Sequence, residues 1–258
     1  MPCRRTDAAT RLASPLRTAA RRTDRLRPAT GIAITAALTL GLLGAAPTPA
    51  NANACTLSGS GTSGSPYLVA TADDLAQVGD LCGLASAYRQ TASITLAAPA
   101  AGASNHTPIG EHSRAFTGSY DGAGWTITGL TINVRTAAGL FGATNAATLD
   151  DIHLAGVTVV GAYDAGALVG ESQIDDSITN SSATGTVTGN TGVGGLVGHL
   201  SPTSTLAYSR AAVRVQGARN VGGLIGHSNQ ATVENSYATG DVLASNSFAG
   251  ALVGLVEA

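Results

Sequence analysis

Val193-Gly-Gly-Leu-Val-Gly198 is the stretch that decides the fold, because the same pattern returns along the chain at a fixed spacing. It begins again 28 residues later at Val221 and once more at Ala249. It also occurs one and two periods earlier, at Ala165 and Ala137. A fixed period between about 20 and 50 residues indicates stacked units, each burying its apolar face against its neighbours.

The repeat unit is typical of strands rather than helices. Each copy has short apolar stretches separated by turn residues, such as Val221–Ile225 and Val242–Leu243, and Gly recurs every few residues. Each Gly would cost about 1 kcal/mol inside a helix, and propeller blades need about 40 residues or more. The sequence therefore predicts an all-β fold, a parallel β-helix of 28-residue coils. Stacking places equivalent repeat positions in columns, and the inward column is Leu140, Leu168, Leu196, Leu224 and Leu252.

An N-terminal secretory signal is predicted over residues 1–54. Eight of the 14 Arg residues precede residue 28, an apolar run follows over residues 31–46, and small residues lead up to Ala54. The apolar run is too short for a membrane span of about 20 residues. We expect a secreted or cell-surface protein with no transmembrane segment in the mature chain. Arg21-Arg22 leaves Sec and twin-arginine export both open, and lipid anchoring at Cys55 is an alternative to plain secretion.

The chain from Cys55 onward carries six Arg against 14 Asp and Glu, a net charge of −8. This balance argues against nucleic acid or an anionic membrane as the partner.

Export leaves Cys55 and Cys82 as an even pair in an oxidising compartment, so we predict a disulfide worth about 3 kcal/mol. The alternative is two unpaired cysteines that pack as small apolar residues.

The segment 55–108 is expected to cap one end of the stack. Thr71-Ala-Asp-Asp74 is a capping-box pattern, and apolar residues at helical spacing follow it, which predicts an amphipathic helix over 71–88. Terminal units of stacked repeats need such a cap. The β-helix itself is predicted over 109–258. No comparable cap follows the last repeat, so we expect either end-to-end self-association through the C-terminal coil or a role as part of a larger surface protein.

Several motifs resemble a known family. Gly-Ser-Gly-Thr62, Pro66-Tyr-Leu-Val69, Thr107-Pro-Ile-Gly110 and Phe116-Thr-Gly-Ser-Tyr-Asp-Gly-Ala-Gly124 precede the Gly-Leu-Val-Gly repeats, as in bacterial extracellular proteins with GLUG-motif repeats. Such repeats occur in non-catalytic regions of some immunoglobulin A1-type metalloproteases and of haemagglutinin-like adhesins. The resemblance implies a right-handed parallel β-helix and a secreted or surface location, but no settled activity. The zinc-binding His-Glu-x-x-His of those proteases is absent, so their activity does not carry over.

One polar column follows from the repeat. The residue after the final Gly of each copy is Ala143, Glu171, His199, His227 and Leu255 in turn. One interpretation is a metal or acid–base site, since Glu171, His199 and His227 would lie on three consecutive coils. The other interpretation, which we favour, is a solvent-facing turn position that tolerates polar residues.

Charged residues outside this column have two interpretations each. Asp150-Asp151 and Asp175-Asp176 could bind Ca²⁺, but solvated turn acids that guard against edge aggregation are favoured. Three Arg of one coil, Arg210, Arg214 and Arg219, could meet an acidic sugar or could pair with Asp175, Asp176 and Asp241. Calcium-binding Gly-Gly-x-Gly-x-Asp repeats, a nucleophile elbow and a phosphate loop are absent from the sequence.

The sequence therefore assigns no catalytic residue and no cofactor. The leading expectation is a non-catalytic secreted or surface β-helix that presents an extended face for adhesion to glycan or protein. The alternatives are a carbohydrate-active β-helix, either lyase or hydrolase, and a structural module of a larger surface protein.

Overall fold

A computed structural model describes residues 54–257, so the predicted leader, apart from Ala54, lies outside the described residues. The chain is a parallel β-helix with one short helix, α1 (Ala72–Leu75). Every strand-to-strand pairing is parallel. The strands, in chain order, are β1 (Tyr67–Val69), β2 (Ala87–Gln90), β3 (Ile94–Thr95), β4 (Ser119–Asp121), β5 (Thr126–Thr128), β6 (Thr131–Asn133), β7 (Thr136–Ala138), β8 (Phe141–Thr144), β9 (Thr148–Asp150), β10 (His153–Ala165), β11 (Val169–Ser172), β12 (Ser177–Thr179), β13 (Ser182–Gly194), β14 (Val197–Leu200), β15 (Thr205–Ala207), β16 (Arg210–Gly222), β17 (Ile225–Asn229), β18 (Thr232–Glu234), β19 (Tyr237–Ala238), β20 (Val242–Gly250) and β21 (Val253–Glu257).

The strands form three sheets, one for each side of the coil. A seven-stranded sheet has the order β1-β2-β4-β9-β12-β15-β18, and a five-stranded sheet has the order β21-β17-β14-β11-β8. The wide, nine-stranded sheet runs β19-β16-β13-β10-β5-β3, with β6 and β7 beside β10 and β20 beside β16. Crossovers between parallel strands of one sheet are right-handed in nearly all proteins, which is the winding predicted for this chain.

Alternating side chains build the core between the sheets. Along β16, Val213 and Val215 are fully buried while Arg214 and Gln216 face solvent. This two-residue period is what a strand with one buried face requires. Four leucines of the inward column have no solvent exposure, namely Leu140, Leu168, Leu196 and Leu224. Leu252, in the last described coil, is only partly buried.

The glycines of the repeat motif allow close backbone contacts. A Cβ on Gly194 or Gly222 would lie 2.0 or 1.9 Å from the carbonyl oxygen three residues ahead, at Val197 or Ile225. The final Gly of each copy abuts the corner of the preceding coil, since a Cβ on Gly226 would lie 2.4 Å from Val193 N. Only Gly fits both places, which is the physical reason for the Gly-x-Leu-x-Gly pattern.

The 28-residue register has a one-residue shift in the first copy. Ala165 pairs with Ala138 rather than with Ala137, whereas Val169 pairs with Phe141 at the full period. Ala137 instead adopts a left-handed conformation, with φ of 50°. Asp164, with φ of 50°, occupies the equivalent corner of the next coil. The extra residue therefore lies after this corner, between Ala165 and Val169, and the inward Leu column stays aligned.

The helix predicted over residues 71–88 is reduced to the single turn of α1. Its N-terminus forms as expected, because Thr71 Oγ1 accepts from Asp74 N and Asp74 Oδ2 accepts from Thr71 N. Gly79 and Gly83 then take φ values of +85° and +94°, which an α-helix excludes. The Tyr88 hydroxyl stabilises this turn by accepting from Gly79 N and donating to Gly83 O. Leu75, Val78 and Cys82 are still buried, while Leu81 is exposed.

The N-terminal segment is continuous with the β-helix. β1 and β2 extend the seven-stranded sheet through β4, and β3 pairs with β5, so the strands within residues 67–95 already pair with those of the β-helix. The predicted disulfide between Cys55 and Cys82 is confirmed, with Cα atoms 4.7 Å apart. In the part of the chain that is described, no helix is long and apolar enough to span a membrane.

Candidate functional site

A cleft of about 490 Å³ opens where the wide sheet turns into the five-stranded sheet. One wall is the loop 107–112, and the other is formed by the residue that follows β6, by β7, by the end of β10 and by β11. Pro108, Val134 and Ala137 supply apolar surface, whereas Glu111, His112, Asp164 and Glu171 supply charge. A concave site with apolar walls and a few convergent polar groups is the usual form of a ligand site.

Glu171 is held at the cleft by an imidazole from far along the chain. Its two carboxylate oxygens each lie 2.9 Å from Nδ1 of His112, 59 residues earlier. This contact and the negative charge of Glu171 raise the pKa of His112. The His112 side chain is 80% exposed, so solvent screens the pair and it is weak as a stabilising interaction. Its effect is to orient the Glu171 carboxylate.

Asp164 is a second carboxyl group in the same cleft. It lies at a left-handed corner at the end of β10, and its Oδ1 fills the space beside Gly192, where a Cβ would approach within 2.4 Å. Burial, followed by the nearby charge of Glu171, raises the pKa of Asp164 to about 6. The two carboxyl groups therefore differ in environment: one is paired with an imidazole and the other is desolvated.

His199 and His227 continue the column away from the cleft. Their rings stack with centroids 4.6 Å apart and planes only 6° from parallel. Burial lowers the pKa of His199, and the neighbouring His227 lowers it further. Nε2 of each ring is buried without a hydrogen bond, although Glu257 Oε2 lies 3.5 Å from Nε2 of His227. That separation brings a carboxylate near the ring but is too long for a hydrogen bond of normal strength.

The column does not form a preformed metal centre. Among residues 54–257 no group of three or more His, Cys, Asp and Glu side chains is placed to hold an ion. Parallel rings stacked along the column cannot direct their nitrogens at one point, and Glu171 is turned towards His112. The column is better described as a row of hydrogen-bonding groups, one per coil, spaced by about 4.8 Å.

The remaining charged candidates lie outside the cleft. Asp176 is buried rather than solvated, accepting from Thr144 Oγ1 and Ala147 N at 2.6 and 2.8 Å. Asp150 accepts from Thr179 Oγ1, and Asp151 lies 3.3 Å from His153. The contacts of Asp150 and Asp176 join neighbouring coils, whereas that of Asp151 is local, so the acidic groups are structural. The three Arg candidates project from the outer face of β16.

Comparison with known proteins bears on the repeat and on the fold. The GLUG motif matches residues 161–188 and 217–243. The chain carries GLUG repeats. The first matched GLUG repeat contains both Asp164 and Glu171, and the second contains His227. The cleft carboxyl groups and part of the column therefore belong to the repeat itself.

The GLUG-repeat fold is similar to a crystal structure of a Bacteroides ovatus protein described as a candidate immunoglobulin A1 protease. The TM-score is 0.65 at 20% sequence identity, over 77% of this chain and 64% of that one. This chain thus corresponds to about two thirds of that protein's length, and at this identity the likeness establishes the fold alone. No curated protein matches the chain.

Three residues of the site were not predicted from the sequence, and two of them, His112 and Glu257, carry no signal in the repeat pattern. His112 precedes the first GLUG-type copy and reaches Glu171 only through the winding of the coil. Glu257 lies in the last described coil, beyond the column position itself. Asp164 is the exception, because it shares its repeat position with Gly192 and Asn220. Asp, Gly and Asn are the residues that favour a left-handed corner, so the turn could have been predicted from them.

Proposed function

We propose that the protein is a secreted or cell-surface GLUG-repeat β-helix, non-catalytic, that binds an extended extracellular ligand along the cleft and its column. The proposal rests on one observation. The polar column of Glu171, His199 and His227 begins at the cleft and runs along the direction in which the coils stack. An extended polymer laid along this direction would meet one polar group in each coil. The disulfide supports an oxidising, extracellular location.

A glycan suits the cleft better than a protein segment. Carboxylate and imidazole groups hydrogen-bond to hydroxyls, and Pro108, Val134 and Ala137 offer apolar surface to the C–H face of a sugar. The three carboxylates Glu111, Asp164 and Glu171 would repel acidic chains. A neutral polysaccharide is therefore the ligand class that the cleft supports.

A glycan array probed with the chain tests this function. Binding to neutral glycans should weaken about tenfold in Glu171→Gln and His199→Gln, since the first replaces a carboxylate acceptor by a weaker amide and the second removes the imidazole ring. Asp241→Asn, on the exposed surface outside the cleft lining, is the matched control for the loss of one carboxylate. Binding to no neutral glycan, or equal weakening in the control, rejects the cleft as the binding site.

One observation favours a second candidate function, glycoside hydrolysis. Two carboxyl groups lie in one cleft: Asp164, whose pKa burial raises to about 6, and Glu171, which is paired with His112. Such a pair is what glycosidic cleavage uses as acid and base. Asp164 would protonate the leaving oxygen, and Glu171 would act on water or on the sugar carbon. The cleft lining contains no Arg to neutralise a uronate, so hydrolysis is favoured over lyase elimination.

Release of reducing ends from neutral polysaccharides separates the two functions. Under the hydrolase alternative, Asp164→Asn and Glu171→Gln both abolish release while binding persists. Under the binding function the parent chain releases none.

A further inference from the structure

Half of the Arg residues that follow the predicted leader lie on the outer face of one strand. Arg210, Arg214 and Arg219 are all exposed on β16, in a chain segment whose net charge is −8. None of them forms an ion pair within residues 54–257, unlike Arg89, which lies 3.5 Å from Asp121. The pairing with Asp175, Asp176 and Asp241 considered from the sequence does not form. Three guanidinium groups are therefore left available to an external anion.

The neighbouring coils leave these groups open. On the β13 side the register partners of the three Arg are the small polar residues Ser182, Thr186 and Thr191. Coils stack only above and below β16, so the outer face of the strand stays free whatever lies further along the stack. Arg210 and Arg214 are separated by four residues of strand, about 13 Å, which spaces the charges for an extended ligand rather than for one small ion. Asp241 is the acidic residue beside Arg214 on the following coil, and it remains exposed.

Exposed aromatic rings lie at both ends of this Arg stripe. Tyr237 is the register partner of Arg210, and Tyr208 comes two residues before it, with exposures of 55% and 61%. At the other end Phe248, 60% exposed, follows Ser247, the register partner of Arg219. Sugars stack their C–H faces on such rings while guanidinium groups bind carboxylates or sulfates with paired hydrogen bonds.

We propose that the Arg stripe of β16, defined by Arg210, Arg214 and Arg219, binds an anionic polysaccharide bearing carboxylate or sulfate groups. This site is separate from the cleft, whose carboxylates would repel the same ligand. A polysaccharide is favoured over nucleic acid because Arg210 and Arg214 are about 13 Å apart, whereas phosphates follow one another about every 3.4 Å along each strand of a duplex. Most phosphates would therefore stay unpaired beside an acidic surface. The protein would then contact two classes of glycan at two separate sites on different coils.

The test measures binding of the full chain to polygalacturonate, heparin and a single-stranded oligodeoxynucleotide. The first two probes distinguish carboxylate from sulfate as the recognised group. The variant Arg210→Gln/Arg214→Gln/Arg219→Gln should lose about tenfold or more in affinity for the anionic polysaccharide that binds. Binding of the parent should weaken with added salt. The same measurements on residues 55–258, which lack the predicted leader, remove its eight Arg from the comparison.

A matched variant, Arg89→Gln/Arg114→Gln/Arg135→Gln, removes the same charge from elsewhere and should retain parental affinity. Equal melting temperatures of the two triple variants show that folding is not the cause. Equal loss of binding in both variants would mean that net charge alone acts, and the proposal would fail. Failure of the parent to bind either polysaccharide, or tighter binding to the oligodeoxynucleotide, would also overturn it. Because the cleft variants leave β16 intact, failure here is distinguishable from failure of the proposed function.

Discussion

At the scale of single residues, the site is built from side chains whose protonation is shifted by burial. Asp164 and His199 are each partly withdrawn from water, and in each the charged form is disfavoured. The consequence differs in sign, because Asp164 charges as pH rises and His199 charges as pH falls. Each therefore makes a separate prediction for stability against pH.

Asp164→Asn should stabilise the protein at neutral pH. Burial raises the folded-state pKa of Asp164 from 3.8 to about 6, so its contribution to stability is present below pH 3.8 and is lost as pH rises through 6. The amide cannot ionise, and Asn220 shows that Asn accepts this corner, with φ of 51°. We expect a gain of about 1–2 kcal/mol at pH 7.5, discounted for partial solvation, and none at pH 4. Denaturant unfolding at the two pH values would contradict this if the gain were equal at both.

His199→Gln should reduce the sensitivity of the protein to acid. Burial and His227 lower the folded-state pKa of His199 below 6.5, while Glu171 and Glu257 oppose the shift. A depressed imidazole pKa contributes stability that is present above pH 6.5 and lost as pH falls below it. The parent should therefore lose more melting temperature between pH 7.5 and pH 5 than the variant does. A parallel loss in both proteins would show that the stacked rings are not responsible.

At the scale of the element, the repeat motif allows the backbones of consecutive coils to approach closely at their corners. The final Gly of each copy contacts the backbone of the previous coil, as Gly226 does at Val193. The inward Leu of the same motif fills the core, where it is fully buried in four coils. One motif thus supplies both the close approach and the burial that hold consecutive coils together.

Gly226→Ala should separate two coils locally. The added Cβ would lie 2.4 Å from Val193 N, a backbone atom that cannot rotate away. We expect a loss of about 3 kcal/mol in the free energy of unfolding. Gly64→Ala is the control, because no atom lies within 4 Å of the Cβ it would add. Thermal unfolding of the two variants should differ by several degrees, and similar melting temperatures would contradict the packing argument.

At the scale of the whole molecule, burial declines towards the last described coil. The Leu column is fully buried from Leu140 to Leu224, whereas Leu252 and Val253 are partly buried and Val256 is 66% exposed. β18 and β21 each form the outer edge of a sheet. Edge strands with apolar side chains are a template for pairing with another chain.

We expect concentration-dependent association through this C-terminal coil. Leu252→Asp/Val253→Lys should reduce association several-fold, because charges on the exposed end oppose stacking of a second chain. Leu243→Asp is the matched control, since Leu243 is an exposed apolar residue on the side of the coil rather than at its end. Sedimentation velocity over a range of concentrations measures the effect. A parent chain that stays monomeric at high concentration would contradict the prediction.

The period of 28 residues was enough to predict the β-helix, the inward Leu column and the polar column of Glu171, His199 and His227. The reason is that parallel stacking converts equal repeat positions into spatial neighbours. The pairing of Cys55 with Cys82 also followed, since the two cysteines beyond the predicted leader leave one pairing. These predictions depend only on repeat positions and on the number of cysteines, both of which can be read directly from the sequence.

Contacts made by residues that the 28-residue repeat does not specify were decided only by the tertiary structure. Gly79 and Gly83 end the expected helix because Tyr88 and the disulfide hold a compact turn there. His112 meets Glu171 from a segment without repeats, and Asp176 is drawn into the interior by Thr144 and Ala147. Such contacts depend on the length of each corner and on the packing of neighbouring coils, neither of which a repeat position specifies.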